Sequence, residues 1–334
     1  VIQFAIADGI SVAAEIVSLF TSVPDMWSAT VGFVLMIVVV VSSINAARKK
    51  LSYEAWYVIH LLAYVSILIA VPHQFSTGSD IAGKPLQTLF WVSLYLFVAL
   101  NVIWYRLLAP LVMNLGLGLR VSSVVRETSD TISIYLSGRG LERLGGQAGQ
   151  FYMLRIMNAA NWDKPHPFSI SAAPNNRFVR FTIGDRGDFT QNLAALKVGT
   201  RVFLEGPYGV FTEERRTREK VTLIAAGVGA PPIRALAESM AARPGDVTII
   251  YRVRTYEDAA LLGELEQIAR QRGFRLHVLS GKRGSANSWL PGHLNDVPDH
   301  ARLIEMNPHI SESDVYICGP GPWTHAVEKS LKRV

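Results

Sequence analysis

Two histidines, His60 and His73, sit in an otherwise apolar stretch, thirteen residues apart. An imidazole at membrane depth is costly without a partner, so it points to function. Neutral imidazole is also a common axial ligand of haem iron. On a straight helix this spacing rises roughly 20 Å and sets one ring toward each side of a bilayer. Thirteen steps of about 100° leave the rings far apart in angle, so aligning them needs a kink near Pro72. The alternative is two histidines hydrogen-bonded to neighbouring helices. Bis-imidazole ligation also needs a second His from another helix, and residues 1–59 contain none. The haem reading therefore expects that partner ahead of Val1, in a chain read as a fragment or processed product.

A second group lies downstream. His166-Pro167-Phe168-Ser169-Ile170-Ser171 offers extended backbone, amides and hydroxyls, the groups that the N5 and pyrimidine edge of a flavin needs; other polar strands offer them too. The GDRGDFT segment at 184–190 follows, with Gly187 allowing close backbone approach and Thr190 opening an expected helix over 190–196. A helix start of this kind is an anion site suited to a pyrophosphate. Gly206-Pro207-Tyr208-Gly209 closes the region.

A third group begins at AAGVGAPP, 225–232. Gly227 and Gly229 permit a tight strand-to-helix turn, and Pro231 suits a first helical turn that needs no amide donor. It is not a complete G-x-G-x-x-G fingerprint. Arg252 and Arg254 end the next strand, where guanidinium groups can hold a 2′-phosphate. NAD readers place an acid there, and Glu257 and Asp258 come slightly later, so NADPH is favoured over NADH. Solvated surface charges are the alternative for both arginines. Cys318-Gly319-Pro320 ends the last strand, which puts the thiol near the nicotinamide C4; a packing cysteine is the bland alternative.

The elements that must position these groups follow from a bimodal composition. Residues 1–110 hold ten charged side chains, while the rest of the chain holds fifty. Three uncharged stretches, 26–47, 55–79 and 85–105, reach the roughly 20 residues that cross a bilayer. The second is expected to end near His73, before an outer loop at 74–84. Arg48, Lys49 and Lys50 lie between the first two stretches and Arg106 follows the third, so the RKK loop and everything after Arg106 are expected to be cytoplasmic. After Asn114, short runs rich in branched and aromatic residues read as an antiparallel barrel or sandwich. From Lys220, strands such as VTLIAAG and VTIIYRV alternate with helical stretches, which implies a doubly wound parallel sheet. One cysteine excludes a disulfide framework and a Cys-rich metal site. A net charge of +6 with dispersed basic residues gives no nucleic-acid motif.

In this order, PHPFSIS, GDRGDFT, GPYG, AAGVGAPP, YRVR and CGPGP resemble the ferredoxin–NADP reductase superfamily. With spans ahead of them, the chain is similar to the ferric reductase and NADPH oxidase family of membrane flavocytochromes. The resemblance implies a multidomain chain: a transmembrane α-helical segment (1–115), an antiparallel β-barrel FAD domain (116–212) and a doubly wound α/β NAD(P)-binding domain (213–334). It implies FAD, NADPH or NADH, and haem b as cofactors. Residues 166–171 would hold the isoalloxazine, Gly187 and Thr190 the FAD phosphates, and Gly227, Gly229, Cys318, Gly319 and Pro320 the nicotinamide cofactor. His60 and His73 would ligate haem. Ser169 and Cys318 are the expected catalytic residues. The implied activity passes electrons from NAD(P)H through FAD and haem to dioxygen or ferric iron across the lipid bilayer. Two features depart from the family pattern: its earlier haem-ligating span is absent or reduced to a tail, and the sequence stops at Val334, short of the C-terminal aromatic that in many members covers the flavin ring. A haem-free flavin reductase serving a ferredoxin or quinone, and an inactive membrane scaffold, are the rival readings.

Overall fold

The computed structural model describes residues 2–79, 81–158, 161, 162, 164–185 and 187–334. Val1, Asp80 of the expected outer loop and Arg186 of the GDRGDFT segment lie outside the described residues. The chain divides into two compact units, Val1–Arg106 and Leu107–Val334.

In the first unit, α1 (Ile2–Asp8) and α2 (Val12–Ser22) meet at a 97° bend. The helices α3 (Met26–Ser43), α4 (Asn45–Arg48), α5 (Tyr53–Thr77) and α6 (Pro85–Ile103) follow. By length and composition α3, residues Ala55–Thr77 of α5 and the helical run Pro85–Leu117 can each cross a membrane. Phe33, Leu68 and Phe97 are each more than 60% exposed, as side chains facing lipid would be. α3 and α5 pack through small residues. Ser66 Oγ donates to Gly32 O at 2.6 Å, and a Cβ at Gly32 would lie 2.8 Å from Ser66 O. Close backbone approach of this kind drives helix pairing where burial from water cannot.

α5 does not end near His73, as expected from Pro72, but runs on to Thr77. Its last turn is closed by Thr77 Oγ1 donating to His73 O at 2.7 Å and by Gly78 N–H donating to Gln74 O at 3.1 Å. Proline removes one amide donor, and in apolar helices neighbouring hydroxyls compensate for such gaps.

A π turn at Trp104–Leu108 crosses the division and leads into α7 (Ala109–Leu117) of the second unit. The Asn114 amide fixes α7 to the sheet beyond it, donating to Leu204 O at 2.8 Å and accepting from Leu204 N at 2.7 Å. Six strands then form two antiparallel three-stranded sheets. β1 (Arg120–Arg126), β2 (Thr131–Ser137) and β5 (Val179–Gly184) make one; β4 (His166–Ser169), β3 (Phe151–Ile156) and β6 (Val202–Tyr208) make the other. Single bridges, Arg120 to Arg201 and Ile170 to Phe181, link the sheets over one core built on Ile134, Leu136, Leu154, Phe181 and Leu204. Between β5 and β6 the expected helix over 190–196 is a short α8 (Asp188–Gln191) continued as a 3-10 turn, Asn192–Ala195.

The nucleotide-domain pattern gives a four-stranded parallel sheet of order β10 (Ser313–Cys318), β7 (Lys220–Ala226), β8 (Val247–Val253), β9 (Arg275–Ser280). Alternate residues of β7 enter opposite cores. Val221, Leu223 and Ala225 meet α9 (Ala230–Ser239) and α10 (Leu262–Arg272); Ile224 and Ala226 meet α11 (Asp299–Met306) and α12 (Gly321–Leu331). Both faces are covered, so the sheet is doubly wound, and strand order reverses between β7 and β10.

The antiparallel and parallel domains are joined by a charged cluster absent from the motifs above. Arg180 of β5, with its side chain 3% exposed, forks onto Glu264 of α10 at 2.6 and 3.0 Å. Arg234 of α9 reaches the same carboxylate at 2.7 Å and also pairs with Glu238. Burial alone would raise the Glu264 carboxyl, but hydrogen bonds and charge from Arg180 and Arg234 outweigh it and hold it below the usual range. Stability from a depressed carboxyl is complete above its unfolded pKa of about 4.3 and is lost as pH falls through the native value. The melting-temperature gap between wild type and Glu264→Gln should therefore be full at about pH 6 and shrink below about pH 4. A gap unchanged by acid would show that the charge contributes nothing.

Candidate functional site

The flavin-side motifs converge at one end of β3. Phe151 pairs with Ser169 of β4 and with Tyr208 of β6, so HPFS and GPYG flank the same strand end. The Phe151 and Tyr208 rings lie 5.7 Å apart, and a Cβ at Gly209 would come within 3.2 Å of the Phe151 ring. The His166 ring stacks on Phe189 at 3.8 Å, with Phe168 6.3 Å from Phe189. This aromatic cluster ties the GDRGDFT segment to β4. Thr190 Oγ1 accepts from Gly187 N–H at 3.0 Å and lies 3.2 Å from Asp185 Oδ1, which tightens that turn. Pro167 is exposed and Ser169 half-buried, whereas Ile170 points into the core. Ser171 is fully buried, its Oγ accepting from Arg180 Nε at 3.0 Å and Thr182 Oγ1 at 2.8 Å.

The nicotinamide-side motifs meet where strand order reverses. β7 ends in the turn Gly227–Gly229, Gly227 at φ +50°, and α9 begins with buried Pro231 in its first turn. A Cβ at Gly229 would collide with the Cys318 carbonyl and lie 2.8 Å from Gly319 N. A Cβ at Gly319 would lie 2.8 Å from the Trp323 ring and 3.1 Å from Ala226 Cβ. The glycines thus let two loops approach backbone to backbone at the sheet's carboxyl edge, where ligands of doubly wound folds bind. Pro320 caps α12. Burial pushes the Cys318 thiol up, so at neutral pH it stays protonated, a small polarizable contact rather than a thiolate.

Beside this edge is a cavity of about 630 Å³ lined by Gly227, Pro231, Arg252, Arg254, Lys282 and Asp185 among others. It brings together two glycine-turn residues and both sequence-predicted arginines, but Cys318 and the HPFS strand do not line it. The arginines differ sharply. Arg252 is 7% exposed and donates to Val253 O, to Leu279 O at 3.2 Å and to Gly281 O at 2.6 Å. Burial first, then the neighbouring Arg283 charge, lowers its pKa. Its guanidinium therefore staples the ends of β8 and β9 and shapes the 281–283 loop. Arg254 and Lys282 are exposed at the rim.

In the first unit His60 and His73 reach the α3 segment at its two ends. His60 Nε2 lies 3.1 Å from Ser43 Oγ, its Nδ1 lies 3.3 Å from Trp56 O, and its ring lies 4.1 Å from that of Trp56 at a tilt of 39°. His73 Nδ1 lies 3.1 Å from Pro24 O. No other histidine occurs within 1–106. Among the described residues no three His, Cys, Asp or Glu side chains gather as a metal site.

Three family models match the chain in succession. They are a ferric reductase-like transmembrane component over residues 1–71, an FAD-binding domain over 117–212 and an oxidoreductase NAD-binding domain over 223–329. The chain is 27% identical over 153 residues to NADH-cytochrome b5 reductase 1 of Laccaria bicolor, covering 45% of this chain and 50% of that protein. It is 28% identical over 226 residues to the ferredoxin reductase component of 3-ketosteroid-9-alpha-monooxygenase of Mycolicibacterium smegmatis, covering 65% and 61%. The chain thus spans half to three fifths of these two relatives. A ferredoxin NADP+ reductase from Neisseria gonorrhoeae with bound FAD and NADP superposes with a TM-score of 0.52 at 16% identity, over 64% of this chain and 89% of that one. That likeness is one of fold.

Proposed function

We propose, for a chain that belongs by its three-domain order to the ferric reductase and NADPH oxidase-like flavoproteins, that it is a membrane oxidoreductase taking hydride from NAD(P)H. Electrons then pass singly through haem to dioxygen or ferric iron on the far side of the membrane. The observation that supports this reading best is the backbone contact of Gly229 with Cys318–Gly319 at the sheet's reversal point, beside the cavity. Bound FAD supplies the exchange between two-electron and one-electron chemistry. The chain's own residues hold and orient. Pro167–Ser169 would offer the isoalloxazine an extended backbone edge and the Ser169 hydroxyl. The turn held by Gly187 and Thr190 faces the pyrophosphate. Gly227 and Gly229 would leave room for the dinucleotide, and Cys318 and Gly319 would back the nicotinamide.

Arg254 and Lys282 are the rim cations for a 2′-phosphate, while Arg252 positions their loop. Arg254→Ser should lower kcat/KM for NADPH about 10- to 100-fold, the worth of one charge-assisted hydrogen bond, and leave NADH almost unaffected. Equal losses with both cofactors would remove Arg254 from this role.

With the RKK loop and Arg106 on the cytoplasmic side, the chain is multi-pass and its FAD and nucleotide domains face the cytoplasm. The presence of only two histidines within 1–106, both on α5, favours the haem-free reductase as a second reading. Anaerobic addition of NADPH to the FAD-loaded, detergent-solubilised chain tests the core of both readings. Flavin absorbance should bleach within the mixing of one equivalent, and an unbleached spectrum would overturn them. A sharp band of low-spin haem in the same spectrum separates the first reading from the second.

A further inference from the structure

We propose that the Arg180–Glu264–Arg234 cluster is a positioning device that fixes the flavin-facing strand relative to the nicotinamide-side helices, with Glu264 as the shared anchor. The proposal rests on the hydride-transfer reading above. Its geometry is specific. Arg180 Nε donates to Ser171 Oγ at 3.0 Å and Arg180 Nη2 to Ser171 O at 2.6 Å, so the guanidinium grips both Ser171 and Glu264. Tyr135 OH lies 3.2 Å from Arg180 Nη1 on the far side. The backbone N–H of Ala173, two residues on, donates to Glu238 Oε2 at 2.5 Å, and Glu238 pairs with Arg234. Glu238 of α9 thus holds Ala173 directly, and Glu264 of α10 holds Ser171 through Arg180.

Those residues continue directly from Ser169. Only Ile170, bridged to Phe181, separates Ser171 from Ser169, so a displacement of Ser171 has few bonds in which to be absorbed. Stability alone is a weak reason for such a cluster, because desolvating ions offsets most of their attraction and an apolar contact would serve as well. Hydride transfer, by contrast, is sensitive to misplacement of about 1 Å. Glu264 does not line the dinucleotide cavity, so its loss leaves the nucleotide's own contacts in place.

The test uses the full chain in detergent with FAD bound. In Glu264→Ala, the rate of flavin reduction by NADPH, per bound flavin, should fall about 10- to 100-fold while KM for NADPH changes little. In the same preparation the Ala173 amide should exchange hydrogen faster, a readout independent of turnover. Glu264→Gln, which keeps an oxygen for Arg180, should fall between the two and serves where the alanine variant loses its fold or FAD. A wild-type reduction rate per bound flavin in both variants would overturn the proposal, whatever their melting temperatures. Absence of flavin reduction in the wild type would instead overturn the hydride-transfer reading, and this proposal with it.

Discussion

Gly229→Ala should slow flavin reduction by NADPH about 100-fold or more while FAD stays bound. A single methyl group has this effect because of what it meets. The added carbon would collide with the Cys318 carbonyl and press on Gly319 N, both backbone atoms at the end of a paired strand. A flexible side chain could swing aside; β10 cannot move without breaking its ladder with β7. The turn must therefore shift away from the sheet edge, and with it the first turn of α9. The antiparallel domain has a separate core, so flavin content should hold. Gly263→Ala is the control: it lies in α10 with nothing within 4 Å of its Cβ, and Ala is favoured over Gly in a helix by about 1 kcal/mol. That variant should be as active as wild type and slightly more stable. Near-normal reduction in Gly229→Ala would mean that the two loops do not cradle the dinucleotide.

Much of this site is legible before any coordinates, for reasons that particular residues make plain. Gly227, Gly229 and Gly319 are chain-local signals, since strand, tight turn and helix follow one another within a dozen residues. The β7 alternation of buried residues onto two faces is visible as a continuous apolar run, VTLIAA. Arg180 and Glu264 are harder, being 84 residues apart and each part of an ordinary amphipathic pattern. Alternation in FVRFTI assigns Val179, Phe181 and Ile183 to the core face and Arg180 to the opposite one, so the pattern reads Arg180 as a solvated charge. A buried guanidinium needs acceptors, but neither their type nor their place is readable from its own strand. Arg252 illustrates the opposite limit. Its type and place suit a phosphate reader, yet the carbonyls of Val253, Leu279 and Gly281 claim its donors. Those acceptors come from strand ends that only the folded sheet brings together. The extent of α5 likewise depends on Thr77 and Gly78, whose hydroxyl and amide close the last turn on His73 O and Gln74 O.

His60→Ala should remove about half of the haem per bound FAD and leave flavin reduction by NADPH intact, if each α5 histidine holds one of two irons. The separation of these effects is what gives the experiment its force. His60 belongs to the first unit, whereas every residue assigned to flavin and nucleotide lies in the second. The substitution should also be mild for folding. Ser43, whose hydroxyl faces His60 Nε2, lies 2.8 Å from Val39 O and so is not orphaned. Trp56 loses a tilted ring contact but keeps Arg48 over its ring at 4.7 Å. An imidazole retained only for helix packing would, on removal, shift the melting temperature and nothing in the visible spectrum. An imidazole retained as an iron ligand justifies its desolvation cost at membrane depth through the metal. His73→Ala should remove the other half, and the double variant should show a flavin spectrum alone. If the haem-to-flavin ratio and band positions survive both substitutions, α5 does not ligate iron, and the haem-free reductase becomes the reading to keep.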